Sequence, residues 1–82
     1  MSPTVLRIQG YRFFFFSREE TRKHIHVYCP QGEAKIWLEP EIKIARNYRL
    51  REKELNEILK IVKDNEDEFI KSWKKHFESG SN

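Results

Sequence analysis

His24-Ile25-His26-Val27-Tyr28-Cys29-Pro30-Gln31-Gly32-Glu33-Ala34-Lys35-Ile36-Trp37-Leu38-Glu39 decides the fold. Two runs of alternating apolar and polar residues flank Gln31-Gly32, the pattern of a β-hairpin, with glycine supplying the positive φ of a tight turn. Counting outward from a Gln31-Gly32 loop pairs Cys29 with Ala34, Tyr28 with Lys35, Val27 with Ile36, His26 with Trp37, Ile25 with Leu38 and His24 with Glu39. Side chains alternate faces along a strand. Ile25, Val27, Cys29, Ala34, Ile36 and Leu38 therefore share an apolar face. His24, His26, Tyr28, Lys35, Trp37 and Glu39 share the other, which is polar, aromatic and titratable.

Upstream, Thr4–Ile8 and Tyr11–Phe16 read as a second hairpin around Gln9-Gly10. It pairs Ile8 with Tyr11, Arg7 with Arg12, Leu6 with Phe13 and Val5 with Phe14. Leu6, Ile8, Tyr11, Phe13 and Phe15 fall on one face; Val5, Arg7, Arg12, Phe14 and Phe16 fall on the other. Four consecutive phenylalanines cannot hide on one side of a strand, so both faces of this strand need cover. Ser17–Lys23 lacks apolar residues and reads as a surface loop. Downstream, Pro40 ends the hairpin, Glu41–Ala45 reads as a short edge strand, and Arg46–Arg49 as a turn.

From Leu50 the period becomes helical: Leu55, Ile58, Leu59, Val62, Phe69, Ile70, Trp73 and Phe77 recur at spacings of three and four. Leu50 and Leu55 have the spacing of a hydrophobic staple, and Glu54 stands at the capping-box distance from Arg51, a residue with no acceptor to offer. One helix is expected from Glu52 to His76 or Phe77, roughly 26 residues and about 40 Å long. The polar patch Lys63–Asp67 is where it would bend or break, near Asn65. The expected architecture is α+β: an antiparallel meander of four to five strands packed on one long C-terminal amphipathic helix. Residues 1–78 are expected to form a single domain and residues 79–82 a disordered tail.

The helix should cover Leu6, Ile8, Ile25, Val27, Ile36 and Leu38, leaving Arg7, Arg12, Phe14, Phe16, His24, His26, Tyr28, Lys35, Trp37 and Glu39 uncovered. Arginine, lysine and histidine interleaved with rings are what single-stranded nucleic-acid binders use, rings on bases and cations on phosphates. Exposed aromatic patches equally mark protein interfaces, and at 82 residues a chain gains stability from a partner. Protein binding is the favoured reading, with Arg7, Arg12, Phe14, Tyr28, Lys35 and Trp37 as binding residues. His24 and His26 are candidate catalytic residues, an acid–base pair acting on RNA beside Arg12 or Lys35. As a metal pair they would need ligands beyond Glu39, so no metal and no cofactor is expected. The plainer reading makes them ordinary cross-strand partners of Glu39 and Trp37.

The net charge of +3 is uneven. Residues 1–50 hold nine Lys/Arg and five Asp/Glu; residues 51–82 hold seven and eight. The positive charge sits on the strand half, which permits a polyanionic partner. The one cysteine, Cys29, reads as a small core residue. No apolar run approaches the roughly 20 residues of a membrane span, and Met-Ser-Pro-Thr is not a signal-peptide start, so a cytoplasmic location is expected. No phosphate-binding glycine loop, Cys-x-x-Cys pair or serine elbow is present.

Pro3–Ile8, Gly10–Phe15, His24–Tyr28, Gly32–Lys35 and Trp37–Pro40 resemble the prokaryotic domain of unknown function 4160. The Asn47-Tyr48 turn, the Glu54-Leu55 helix start and the closing Trp73 and Phe77 are similar as well. His-x-His-Val is the most specific part. Lys23 stands where the family has proline, and Arg51 where it has a capping serine, a change expected to fray the helix start. The resemblance implies no established activity. It implies a small protein partner encoded nearby, from the domain of unknown function 2442 family, in an arrangement that looks like a toxin–antitoxin module. It also leaves room for an RNA target of one member of the pair. A homo-oligomer is the other form of association that the small size suggests.

Overall fold

The computed structural model describes residues 4–15 and 22–79. Phe16, residues 17–21 of the expected loop, and residues 80–82 of the expected tail lie outside the described residues. The chain runs β1 (Thr4–Ile8), β2 (Tyr11–Phe14), β3 (His24–Cys29), β4 (Gly32–Trp37), β5 (Lys43–Tyr48), α1 (Glu52–Asp64), α2 (Glu66–Lys74) and a π-helical turn, Lys75–Ser79. The five strands form one antiparallel sheet in sequence order, so the α+β meander is as expected.

Gln9 and Gly10 both take positive φ, 52° and 84°, the mirror-image turn whose twist suits a two-residue hairpin. Ile8–Tyr11, Arg7–Arg12 and Leu6–Phe13 pair as counted. A bulge then sets Thr4, not Val5, opposite Phe14. Val5 instead packs against the core.

The central hairpin differs by two residues. Its turn is Pro30-Gln31, and Cys29 faces Gly32, Tyr28 faces Glu33, His26 faces Lys35 and His24 faces Trp37. Proline presets the φ of a turn's second residue, which Gln31-Gly32 could not use. A slip of two preserves both faces, so the apolar set is right although every cross-strand pair is changed. Gly32 is not needed for its φ. A Cβ there would overlap the backbone oxygen of Tyr48, because β5 is drawn close against β4. Gly32→Ala is therefore expected to lower stability by about 1–3 kcal/mol, the range for overpacking, as read by urea denaturation.

Strand β5 runs to Tyr48, so Arg46–Tyr48 is strand and not turn. The turn centres on Arg49, at φ 66°. Asn47 holds it: its side-chain oxygen accepts from Leu50 N–H at 3.0 Å, and its amide donates to Leu50 O at 3.1 Å.

The single long helix is corrected to two. Asn65, at φ −120° and ψ 23°, separates α1 from α2. Its amide nitrogen donates to Ile61 O at 2.8 Å, and its own N–H reaches Ile61 O and Val62 O at 3.1 and 3.2 Å. Such local side-chain bonds are how asparagine competes with helical backbone. Phe69 N–H then bonds Asn65 O at 3.0 Å to start α2. The α1 start is held despite lacking an acceptor at its cap. Glu54 accepts from Arg51 N–H at 2.8 Å and from the Arg51 guanidinium at 3.2 Å, in place of the expected fraying.

The core lies between sheet and helices. Phe13, Phe15, Ile25, Val27, Cys29, Ala34, Ile36 and Leu38 meet Leu50, Ile58, Ile61, Val62, Phe69 and Trp73. The rings of Phe13 and Phe69 meet at a tilt, 5.3 Å between centroids. Cys29 is a buried free thiol, as a small core residue should be. Tyr11 is buried with its hydroxyl donating to Glu57 at 2.6 Å. Burial first, and then that bond, raise its pKa above the ordinary phenol value. Among the described residues no helix is long and apolar enough to cross a membrane.

Candidate functional site: the open face of the sheet

The face turned away from the helices is built by register. One row across the sheet carries Arg7, Arg12, Tyr28, Glu33 and Tyr48. The next carries Phe14, His26, Lys35 and Arg46, and a third carries His24, Trp37 and Lys43. Arg7, Tyr28, Glu33, Lys43, Arg46 and Tyr48 are exposed, while Arg12, His26, Lys35 and Trp37 are half-buried.

Two residues expected on this face are covered. Phe14 is buried: the Arg12 guanidinium lies 4.8 Å from its ring centre and His26 stacks on it at 5.6 Å. His24 is 1% exposed, because Trp73 of α2 reaches the end of β3 and meets its ring at 5.1 Å, with His26 and Trp37 as the other walls at 5.1 and 5.7 Å. Its Nδ1–H donates to Arg22 O at 2.6 Å, which fixes the ring orientation. His76 joins through Phe15, which stacks on it at 5.9 Å and meets Trp73 at 5.5 Å. The three histidines are thus threaded into one aromatic cluster where β2, β3 and α2 converge.

Glu39 does not face His24. It accepts from Lys23 N–H at 3.2 Å and pairs with Lys23 Nζ at 3.5 Å. Lys23 O in turn accepts from Leu38 N–H at 2.9 Å, extending the hairpin. Among the described residues no three His, Cys, Asp or Glu side chains converge to hold a metal. Trp37 carries Arg22 at 3.9 Å and Lys35 at 4.6 Å over its ring. Energetically such contacts are worth about 0.5–2 kcal/mol each, so a base stacking on Trp37 would have to displace a cation.

Two carboxylates are held below their ordinary range. The Arg51 guanidinium, then the Arg51 N–H, lower Glu54; the Lys23 N–H, then the Lys23 charge, lower Glu39. A depressed folded pKa contributes stability that is complete above the unfolded value of about 4.5 and is lost as pH falls through the folded value. Urea midpoints should therefore fall on acidification from pH 6 to 3, and the fall should be shallower in Glu54→Gln, which keeps an acceptor but not the charge.

The family model for Domain of unknown function (DUF4160) matches residues 10–74. That span runs from the first turn through the end of α2 and includes the whole His24–Glu39 hairpin. The chain belongs to the DUF4160 family. No curated protein and no solved structure matches it.

This DUF4160 chain brings Arg7, Arg12, Tyr28, Lys35 and Trp37 to one face with His26, as read from the sequence. Phe14 and His24 stand on that side as well but are covered. Lys43, Arg46 and Tyr48 were missed: Lys43 lay on an edge strand whose faces were not assigned, and Arg46–Tyr48, read as a turn, are strand whose direction is set by a bulge between β4 and β5. Ile44 faces Ile36 on the core side; strict alternation would send Arg46 and Tyr48 the same way. The extra residue turns them over, setting Arg46 opposite Lys35 and Tyr48 opposite Glu33.

Proposed function

We propose that this protein is the binding subunit of a toxin–antitoxin-like pair, holding a small acidic partner protein on the open face of its sheet. The observation that carries the reading is the make-up of that face. Arg7, Lys43 and Arg46 are exposed around two exposed tyrosines, 51% for Tyr28 and 63% for Tyr48. Tyrosine and arginine are the residues most enriched where protein interfaces gain their energy. A basic surface accelerates and orients the approach of an acidic partner. The resemblance to families encoded as neighbouring pairs supports a protein as that partner.

RNA binding, or metal-independent cleavage by His24 and His26, is supported less well. Two of the rings that would stack on bases are taken, Trp37 by two cations and Phe14 by burial, which leaves Tyr28 and Tyr48. The inner histidine is enclosed by three aromatic rings. The test is co-expression with the neighbouring gene product. A co-purifying complex at about 0.15 M ionic strength, weakened as salt shortens the screening length, is the expected result. A chain that stays monomeric beside its neighbour overturns the reading. RNA cleavage by wild type that disappears in His26→Ala would replace it.

A further inference from the structure

We propose that Tyr28, Glu33 and Tyr48 form a slot for one arginine side chain of the partner protein. The inference rests on the reading that a partner docks on this face, and it adds what fixes the partner's position there.

The three residues are direct cross-strand neighbours on β3, β4 and β5, with Glu33 in the middle. All three are exposed. Side chains stand roughly perpendicular to a sheet, and strands lie about 4.8 Å apart, so the two phenol rings rise some 10 Å from each other. A planar cation midway between them would lie about 5 Å from each ring, inside the roughly 6 Å reach of a cation–π contact. The carboxylate of Glu33 forms the floor. Glu33 has no ion pair or hydrogen bond among the described residues, although it sits on a face otherwise charged by Arg7, Arg12, Lys35, Lys43 and Arg46.

Three of the chain's own cations are directed onto other rings. Arg12 lies over Phe14, and Lys35 and Arg22 lie over Trp37. This face places cations over its rings repeatedly, and Tyr28 and Tyr48 are its two large rings most open to solvent. The β5 backbone at Tyr48 is drawn onto Gly32, the residue before Glu33. Arginine suits it better than lysine, because a guanidinium stacks flat between rings and can present two N–H groups to one carboxylate. An arginine set among acidic residues would match Glu33 and the surrounding cations together, whereas a wholly acidic surface would put a like charge against Glu33.

The test uses the full chain, labelled with 15N, and two probe peptides: acetyl-Glu-Asp-Arg-Asp-Glu-amide and the same peptide with citrulline, uncharged and nearly isosteric, in place of arginine. The arginine peptide is expected to bind about tenfold tighter, with shifts centred on Tyr28, Glu33 and Tyr48. That preference should largely vanish in Glu33→Gln and in Tyr48→Leu, surface changes whose folding the same spectra verify. Equal binding of both peptides to the wild type overturns the slot and leaves the acidic-partner reading standing. Binding of neither overturns both. An arginine preference that survives Glu33→Gln and Tyr48→Leu places the site elsewhere and overturns the slot alone.

Discussion

Trp73→Ala should cost about 3–5 kcal/mol, the range for removing a buried tryptophan, and leave the chain largely unfolded at 37 °C. Total stabilities run about 5–15 kcal/mol, and a chain of this size sits at the lower end. The indole is 4% exposed. It meets Phe15 edge-on at 5.5 Å, Phe77 at 4.1 Å and His24 at 5.1 Å. It is therefore the joint through which α2 closes the end of the sheet. Removing it opens a cavity against Phe15 and exposes the His24 imidazole, whose bond to Arg22 O depends on exclusion of water. Urea denaturation followed by Trp37 fluorescence measures the loss. Trp73→Phe, whose ring still reaches Phe15, should lose less. A wild-type midpoint in Trp73→Ala would show that α2 docks without this contact.

The two faces of the sheet were legible because alternation survives errors in register. Taking Gln31-Gly32 as the turn misplaced every partner of the central hairpin by two residues, yet left Ile25, Val27, Ile36 and Leu38 inside. Asn65 was legible as a weak point because asparagine bonds its own backbone. Three features were not legible. The role of Gly32 depends on where β5 approaches, a contact with no local sign. The bulge that turns Arg46 and Tyr48 outward adds one residue that breaks the period without a glycine to mark it. The burial of His24 arises from Trp73, 49 positions away in the chain, so a strand pattern alone placed it in solvent.

These differences bear on function. With His24 enclosed and Trp37 covered by cations, the imidazole–indole end of the face reads as structure. The reactive-looking residues there lock β3 to α2. The exposed chemistry moves toward the opposite end of the strands, to Tyr28, Glu33, Tyr48, Arg7 and Arg46. Bulges at both β1 and β5 also interrupt the edges as pairing templates. That favours docking onto the face over addition of a strand beside it.

The sharpest consequence concerns Arg7 and Arg46, one on each edge strand and both exposed. They lie about 19 Å apart across the face by strand spacing, so together they sample its width. The double variant Arg7→Glu/Arg46→Glu should bind the neighbouring gene product about 30–100-fold more weakly. Each reversal turns an attraction of roughly 0.6 kcal/mol into a repulsion of similar size, about 2.4 kcal/mol for the pair, and about 1.4 kcal/mol is a tenfold change in affinity. Most of the loss should appear in the association rate and should shrink as salt rises. Folding should change little, since such surface positions usually stay within about 0.5 kcal/mol each. The control is Lys53→Glu/Lys71→Glu, exposed on α1 and α2, which changes net charge by the same amount. If both double variants weaken binding equally, overall charge alone is at work. If Arg7→Glu/Arg46→Glu binds as the wild type does, the partner does not sit on this face.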